Sequence, residues 1–353
     1  MFQASSIQER AQQFYNSLMT QLGKGVIGYN VIKKLIFLCL LVDGNVMLVG
    51  LPGLAKTTLV NALMRAIKGL RTSRIQCTAD TKPDEITGAM VWDFEKHIFK
   101  TLWGPAVVTD KGEPTNLVLA DEANRCPPNT TSSLLQLGQE KSCTIGGFTR
   151  DMEEVYMIMA TRNPIEQEGT YPMSEALTDR FYVELFMDYE SFDNELAMLS
   201  AILENEGDTL ARIEPAFSIE DLLELRTHLY ANAKKMSLQL RNYIVRFVRG
   251  TRSQDPTFAK LHGAQAEEFQ RAVLYGASPR AMINIAYLAM ANALIEGKAL
   301  PDESDVQTVA SHVLRHRIII NPAAGRKSLT VPEQLTRSLI ENVAAHDGNL
   351  PAE

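Results

Sequence analysis

Cysteine is scarce in this chain: its 353 residues include four, Cys39, Cys77, Cys126 and Cys143. Their wide, uneven spacing matches neither a zinc-ligand pattern nor a dense disulfide framework, so reduced thiols are expected. A basic excess is missing too. Lys plus Arg total 35 against 42 Asp plus Glu, a formal net charge of −7. That sign opposes wholesale attraction to phosphate backbones and leaves room only for a local basic groove. Long hydrophobic runs are absent: the longest, 35–42, stops at Asp43-Gly44-Asn45, well short of the ~18 apolar residues of a membrane span. The start, MFQASSIQER, lacks the basic and apolar stretches of a secretory signal, so a cytoplasmic protein is expected. Repeats and low-complexity tracts are missing, and only the tail from about His346 looks loosely built. What remains is an ordinary globular composition, 45% hydrophobic and 22% charged. The length corresponds to about two domains at roughly 150 residues each.

The apolar run Val46-Met47-Leu48-Val49 is followed at once by Gly50-Leu51-Pro52-Gly53-Leu54-Ala55-Lys56-Thr57-Thr58. This order predicts buried strand, loop and helix, the context a phosphate-binding loop requires. Leu59, Ala62, Leu63, Ala66 and Ile67 fall on one helical face, and Gly69 stands where a C-terminal cap belongs. Backbone N–H groups of Gly50, Pro52 to Ala55 and the helix start (Pro itself excepted) would surround a phosphate. Lys56 would reach its outer oxygens, and Thr57 would offer a hydroxyl to Mg²⁺. The residue before the lysine, ordinarily glycine in such loops, is Ala55, which fits if its φ is negative.

A second apolar run, 116–120, ends in Asp121-Glu122, and a third, 155–160, leads through Thr161-Arg162 to Asn163. In open α/β sheets ligands bind at the carboxyl ends of strands. Asp121 there suits a metal shell. Glu122, expected on the opposite side of the strand's end, suits polarising a water, and the Asn163 amide suits orienting it. Arg180 is expected near the C-terminal end of a short helix within 174–181. It is either a cation favoured by the helix dipole or an arginine finger lent to a neighbouring subunit. Ser278-Pro279-Arg280 opens a further helix, and a cation in its first turn is unfavourable unless an anion lies near.

With these segments the chain resembles an AAA+ ATPase of the MoxR family. The resemblance spans about residues 20–320 and rests on GLPGLAKT (50–57), LADEANR (119–125), ATRNPIEQEGTYPMSEALTDRF (160–181), GASPRA (276–281) and VLRHRI (313–318). It implies an α/β fold: an AAA+ P-loop NTPase core with a five-stranded parallel sheet (strands near 46–49, 74–78, 116–120, 155–160 and 182–186) and a C-terminal all-α lid. The implied domains are 1–188 for the core, 189–330 for the lid, and 331–353 for a terminal helix and flexible tail. It also implies ATP/ADP and Mg²⁺ as cofactors. Gly50, Pro52, Gly53, Leu54, Ala55, Lys56, Thr57, Thr58 and Asp121 would contact nucleotide, with Thr57 and Asp121 on the metal. Glu122 would be the base, Asn163 the first sensor, Arg180 the finger and Arg280 the second sensor. Family members usually carry Ile at 123 and Gln at 162, where this chain has Ala123 and Arg162, and 252–275 reads as a longer connection than usual.

Aromatic and β-branched flanks around Glu95-Lys96-His97 predict a hairpin inserted near 86–105, and Gly146-Gly147 predicts a second. Either could contact a substrate. His97 and His312 have no ligand constellation around them and are expected to be structural. The function implied by the resemblance is ATP hydrolysis by a ring, a homo-hexamer, that remodels or activates a client protein with a von Willebrand factor A domain. The alternatives are a nucleic-acid motor, against which the charge argues, and a nucleotide-dependent switch or scaffold.

Overall fold

The structure, a computed structural model, describes residues 6–164, 170–204, 208–321 and 330–343. Part of the 160–181 motif and the expected flexible tail therefore lie outside the described residues. Two helices come first, α1 (Ile7–Gly25) and α2 (Asn30–Leu41). Nine of the twelve α2 residues are buried, which explains the longest apolar run as a core helix. Among the described residues no helix is long and apolar enough to cross a membrane.

Strand β1 (Val46–Gly50) leads into α3 (Lys56–Ala66). That helix ends before Gly69 because Ile67–Lys68 forms a short strand, β2. Next come β3 (Thr72–Gln76), α4 (Pro83–Thr87) and the hairpin of β4 (Gly88–Asp93) and β5 (Ile98–Trp103). They are followed by β6 (Leu117–Asp121), α5 (Pro128–Glu140) and a hairpin of β7 (Ser142–Ile145) and β8 (Phe148–Asp151). Gly146 and Gly147 both have positive φ, 57° and 86°, as a two-residue hairpin turn requires. The chain continues through β9 (Met157–Arg162), α6 (Glu175–Thr178), β10 (Val183–Met187), α7 (Phe192–Glu204), β11 (Phe217–Ser218) and α8 (Ile219–Ala233).

Five strands form one sheet in the order β10-β1-β9-β6-β3, with β1–β9, β9–β6 and β6–β3 parallel. β1 and β6 are buried throughout, and their unbroken apolar sequences reflect cover on both faces. The registers Val49↔Arg162 and Gln76↔Asp121 bring the carboxyl ends of β1, β9, β6 and β3 to one edge of the sheet.

The chain packs as two compact units. One comprises 13–181 and 185–226; the other comprises the described parts of 1–12, 182–184 and 227–353. Residues 189–226 thus belong with the sheet. β11 pairs with β2, and Phe217 stacks on Phe14 at 5.4 Å. The buried Arg226 donates to the carbonyls of Leu40 (2.6 Å), Leu41 (3.3 Å) and Glu154.

The second unit is helical: α9 (Leu238–Arg249), α10 (Phe258–His262), α11 (Ala266–Ala272), α12 (Pro279–Ile295), α13 (Glu303–Leu314) and α14 (Val331–Val343), with small strands β12 (Val273–Tyr275) and β13 (Ile319–Ile320) pairing antiparallel. The segment 252–275, expected as a long connection, is largely structured core here. Phe258, Leu261 and Phe269 are buried, and His262 bonds to Ser338 Oγ (3.0 Å) and the Gly250 carbonyl (2.8 Å).

Burial, with the nearby Arg315 charge, pushes the His312 pKa down to about 4. The folded state therefore keeps the ring neutral while the unfolded chain protonates it below about 6.5. Stability is expected to fall as pH drops from 6.5 towards 4, with a contribution of up to about 1.4 kcal/mol per pH unit from this group. Urea denaturation at pH 7 and pH 5 should show a smaller difference for His312→Gln than for the parent. Equal differences would show that this ring does not contribute.

Candidate functional site

The loop between β1 and α3 is shaped by three backbone demands. A Cβ at Gly50 would lie 2.7 Å from the Met187 carbonyl oxygen, so β10 could not approach a larger residue there. Gly53 has φ +87°, the left-handed region that glycine enters without strain. Ala55 also has positive φ, 56°, contrary to the negative value expected for it. It bears a Cβ cost of about 1–2 kcal/mol, and in return it starts α3 directly at Lys56. Lys56 Nζ donates to the Gly50 carbonyl at 2.7 Å. Burial lowers its pKa, and the Asp121 and Glu122 carboxylates act in the opposite direction.

Asp121 ends β6 with both oxygens engaged. Oδ1 accepts from Thr161 Oγ1 at 2.7 Å, and Oδ2 pairs with Arg74 at 2.6 Å. Glu122 does not continue the strand's alternation to the opposite side. Its φ is +57°, its N–H donates to Thr161 Oγ1 at 2.8 Å, and its carboxylate pairs with Arg125 Nε at 3.1 Å. The left-handed turn brings both carboxylates to one cavity. That cavity, about 300 Å³, is lined by Pro52, Gly53, Ala55, Lys56, Thr57, Thr58, Asp121, Glu122 and Asn163. Nine residues from three separate segments, each singled out in the sequence, share it. Thr57 and Asp121 present a hydroxyl and a carboxylate, the hard oxygen donors that suit Mg²⁺ with phosphate and water completing its shell. Arg74 is 53% exposed against 13% for Asp121, so its side chain can withdraw into solvent and release that oxygen.

A second cavity of about 430 Å³ shares Gly53, Ala55 and Thr58 with the first. Val26, Ile27, Met198, Ile202 and Leu210 make much of its wall apolar. Gly28 (φ +76°) and Tyr29 (φ 54°) turn the chain at its edge, and the Tyr29 N–H donates to Glu190 Oε1 at 2.7 Å. Beneath this turn the buried Lys33 donates to the Val26 carbonyl, and burial lowers its pKa to about 8. An apolar cavity that shares three loop residues with one lined by Lys56 suits the two ends of a nucleotide.

The sequence of residues 45–183 matches the family described as ATPase family associated with various cellular activities, and 265–338 match the AAA lid domain. Chaperone MoxR1 of Mycobacterium tuberculosis is 34% identical over 90% of this chain and 79% of its own. Protein MoxR of Paracoccus denitrificans is 27% identical over 87% of this chain and 89% of its own. A crystal structure from Cytophaga hutchinsonii, assigned as an ATPase, superposes with a TM-score of 0.79 at 32% identity, covering 94% of this chain and 96% of that one. The chain belongs to the MoxR family of AAA+ ATPases. Its five-stranded core and helical lid are those of that family.

Two cations of the MoxR motifs lie outside both cavity linings. Arg180, just past α6, is half-buried in the sheet unit, and among the described residues its Nη1 has no hydrogen-bond partner. Arg280 is exposed in the first turn of α12, in the helical unit. Leu54 lies between lining residues of the loop. His97 sits exposed at the β4–β5 turn, its ring 6.4 Å from that of Trp92. Among the described residues no cluster of three or more His, Cys, Asp or Glu could hold a metal ion. Sequence reasoning missed Thr161, Arg74 and Arg125 as partners of the acids, together with the whole second cavity. Only the Gly28-Tyr29 turn ahead of α2 offered a local signal for the latter.

Proposed function

We propose that this MoxR-family ATPase hydrolyses Mg²⁺-bound ATP in the paired cavities and uses the cycle to remodel or activate a client protein. The observation that carries the reading is the convergence of Lys56, Thr57, Asp121, Glu122 and Asn163 on one cavity. The triphosphate would occupy the smaller cavity, with loop amides and Lys56 on its oxygens, and the base would occupy the larger, apolar one. Lys56, bonded to the Gly50 carbonyl, would exchange that partner for phosphate. Thr57 and Asp121 would hold Mg²⁺, which neutralises charge on the transferring phosphate. Glu122 would take a proton from the attacking water while Asn163 orients it. The sheet unit would serve as the nucleotide-binding core and the helical unit as the lid, with Arg280 reading nucleotide from it.

Arg180 lies outside both cavity linings of its own chain, which favours its use by a neighbouring copy as an arginine finger. The working form would then be a ring, a homo-hexamer, in the cytoplasm. The client would be a protein with a von Willebrand factor A domain. The β4–β5 hairpin exposes Phe94, Ile98, Phe99 and Leu102, and the β7–β8 hairpin exposes Phe148, which makes either a candidate for client contact.

ATP turnover per subunit should rise with protein concentration until rings form, and Arg180→Ala should remove that rise. Constant specific activity from dilute to concentrated protein would refute the shared site. Salt-sensitive stimulation by DNA would instead favour a nucleic-acid motor.

A further inference from the structure

The larger cavity has two walls from distant parts of the sequence. Val26, Ile27 and Tyr29 follow α1, whereas Met198, Ala201 and Ile202 belong to α7. At its Gly25 end the first wall is fastened to residues 209–213. A Cβ at Gly25 would lie 2.7 Å from Ile213 Cδ1 and 2.9 Å from Leu210 Cδ2, and Thr209 Oγ1 donates to the Gly25 carbonyl at 3.3 Å. At its Tyr29 end it is fastened by Glu190, in the link between β10 and α7. Glu190 Oε1 accepts the Tyr29 N–H at 2.7 Å, and Oε2 accepts from Asn194 Nδ2, in the first turn of α7, at 2.7 Å. The carboxyl group lies against Gly28, where a Cβ would come within 2.4 Å of its carbon and 2.7 Å of both oxygens. Glycine is thus required at 28 for this approach as well as for its φ of +76°. The Tyr29 hydroxyl adds an exposed bond to the Asp188 carbonyl at 3.0 Å. Burial lowers the Lys33 pKa and the Glu190 charge opposes that shift, so the carboxylate also supports the ammonium group that donates to the Val26 carbonyl.

We propose that Glu190 is a positioning residue for the nucleotide base: by bridging the Gly28-Tyr29 turn to the first turn of α7, it holds the walls of the larger cavity at the spacing of a planar heteroaromatic ring. Glu190 lies outside the lining and acts through the walls it joins. Two charge-assisted bonds to one rigid carboxylate fix both the distance and the direction between the two chain segments. A wall already in place need not be ordered when the base enters, which removes part of the cost of binding. The effect belongs to the base alone, because the phosphates would rest on Gly50 to Thr58, a separate segment.

This inference rests on the reading that the base occupies the larger cavity, so the test includes a ligand without a base. Calorimetric titrations with ADP and with inorganic pyrophosphate compare the full-length parent with Glu190→Ala, Glu190→Gln and Gly28→Ala, each checked for folding by circular dichroism. The parent should bind ADP more tightly than pyrophosphate. Glu190→Ala should weaken ADP about tenfold, the scale of one charge-assisted hydrogen bond, and leave pyrophosphate within about twofold. Gly28→Ala, whose methyl group displaces the carboxylate, should show the same selective loss. Glu190→Gln should recover most of the ADP affinity, since its amide oxygen accepts from Tyr29 and its amide nitrogen donates to Asn194 Oδ1 once that amide turns over. In ATP turnover by Glu190→Ala the loss should appear in KM, with kcat within about twofold, because base contacts are alike in the ground and transition states.

Unchanged ADP affinity in Glu190→Ala would overturn the proposal. So would an equal loss of ADP and pyrophosphate, the mark of a general structural defect, or a glutamine variant as weak as the alanine one. A parent that binds the two ligands equally well would place the base elsewhere and overturn the base-site reading together with the proposal. A parent that binds ADP but hydrolyses no ATP counts against hydrolysis alone, since calorimetry reads the bridge without turnover.

Discussion

Glu122→Gln should lower ATP turnover by about 10²–10⁴-fold, the contribution of a well-placed general base, while leaving ATP binding within a few-fold of the parent. The amide matches the carboxylate in size, so the cavity keeps its shape, but it cannot accept a proton from water. The substitution also discharges the Arg125 pair, which spans only one turn between half-exposed groups and contributes little to stability. Phosphate release and equilibrium nucleotide titration on the same preparation separate the two effects. Unchanged turnover would move the base elsewhere, and lost binding would show that Glu122 supports the loop rather than the reaction. Under the proposed function, this variant loaded with ATP should also retain its client, which affinity recovery would identify.

Arg226→Met should destabilise the sheet unit by about 3–5 kcal/mol, the range for breaking a buried charged network from one side. Its guanidinium serves the carbonyls of Leu40, Leu41 and Glu154 and lies 3.5 Å from Asp43 Oδ1. These carbonyls include the last ones of α2, which have no intrahelical partner. Methionine fills much of the volume but donates nothing, and Lys141, 2.8 Å from Asp43, already compensates that carboxylate. Chemical denaturation is the measurement. A loss under about 1 kcal/mol would be the scale of one ordinary hydrogen bond and would show that water replaces the guanidinium at these carbonyls.

Much of the site was legible in the sequence because its signals are local. Gly50 to Thr58 lie on one loop and helix start, and Asp121-Glu122 and Asn163 each close an apolar strand whose pattern announces a sheet edge. The hairpin at Gly146-Gly147 was legible for the same reason, since two glycines in sequence supply the two positive φ values it needs. What was not legible depends on backbone torsion or on distant partners. Ala55 and Glu122 both occupy left-handed conformations that no side-chain preference foretells, and Glu122 reaches the cavity only because of its turn. The 252–275 segment read as a connection, since α10 and α11 find their packing partner in α14, where His262 bonds to Ser338, 76 positions further along the chain.

The sequence by itself determined the family, the order of strand, loop and helix, and the residues that share the smaller cavity, because contiguous motifs carry their own geometry. Only the tertiary structure decided that Val26, Met198 and Leu210 form one apolar cavity and that Thr161 and Arg74 hold Asp121. Each of those contacts joins residues separated by tens to hundreds of positions. Their proximity comes from parallel strand register and from the packing of 189–226 within the sheet unit, neither of which is written in any single stretch of chain.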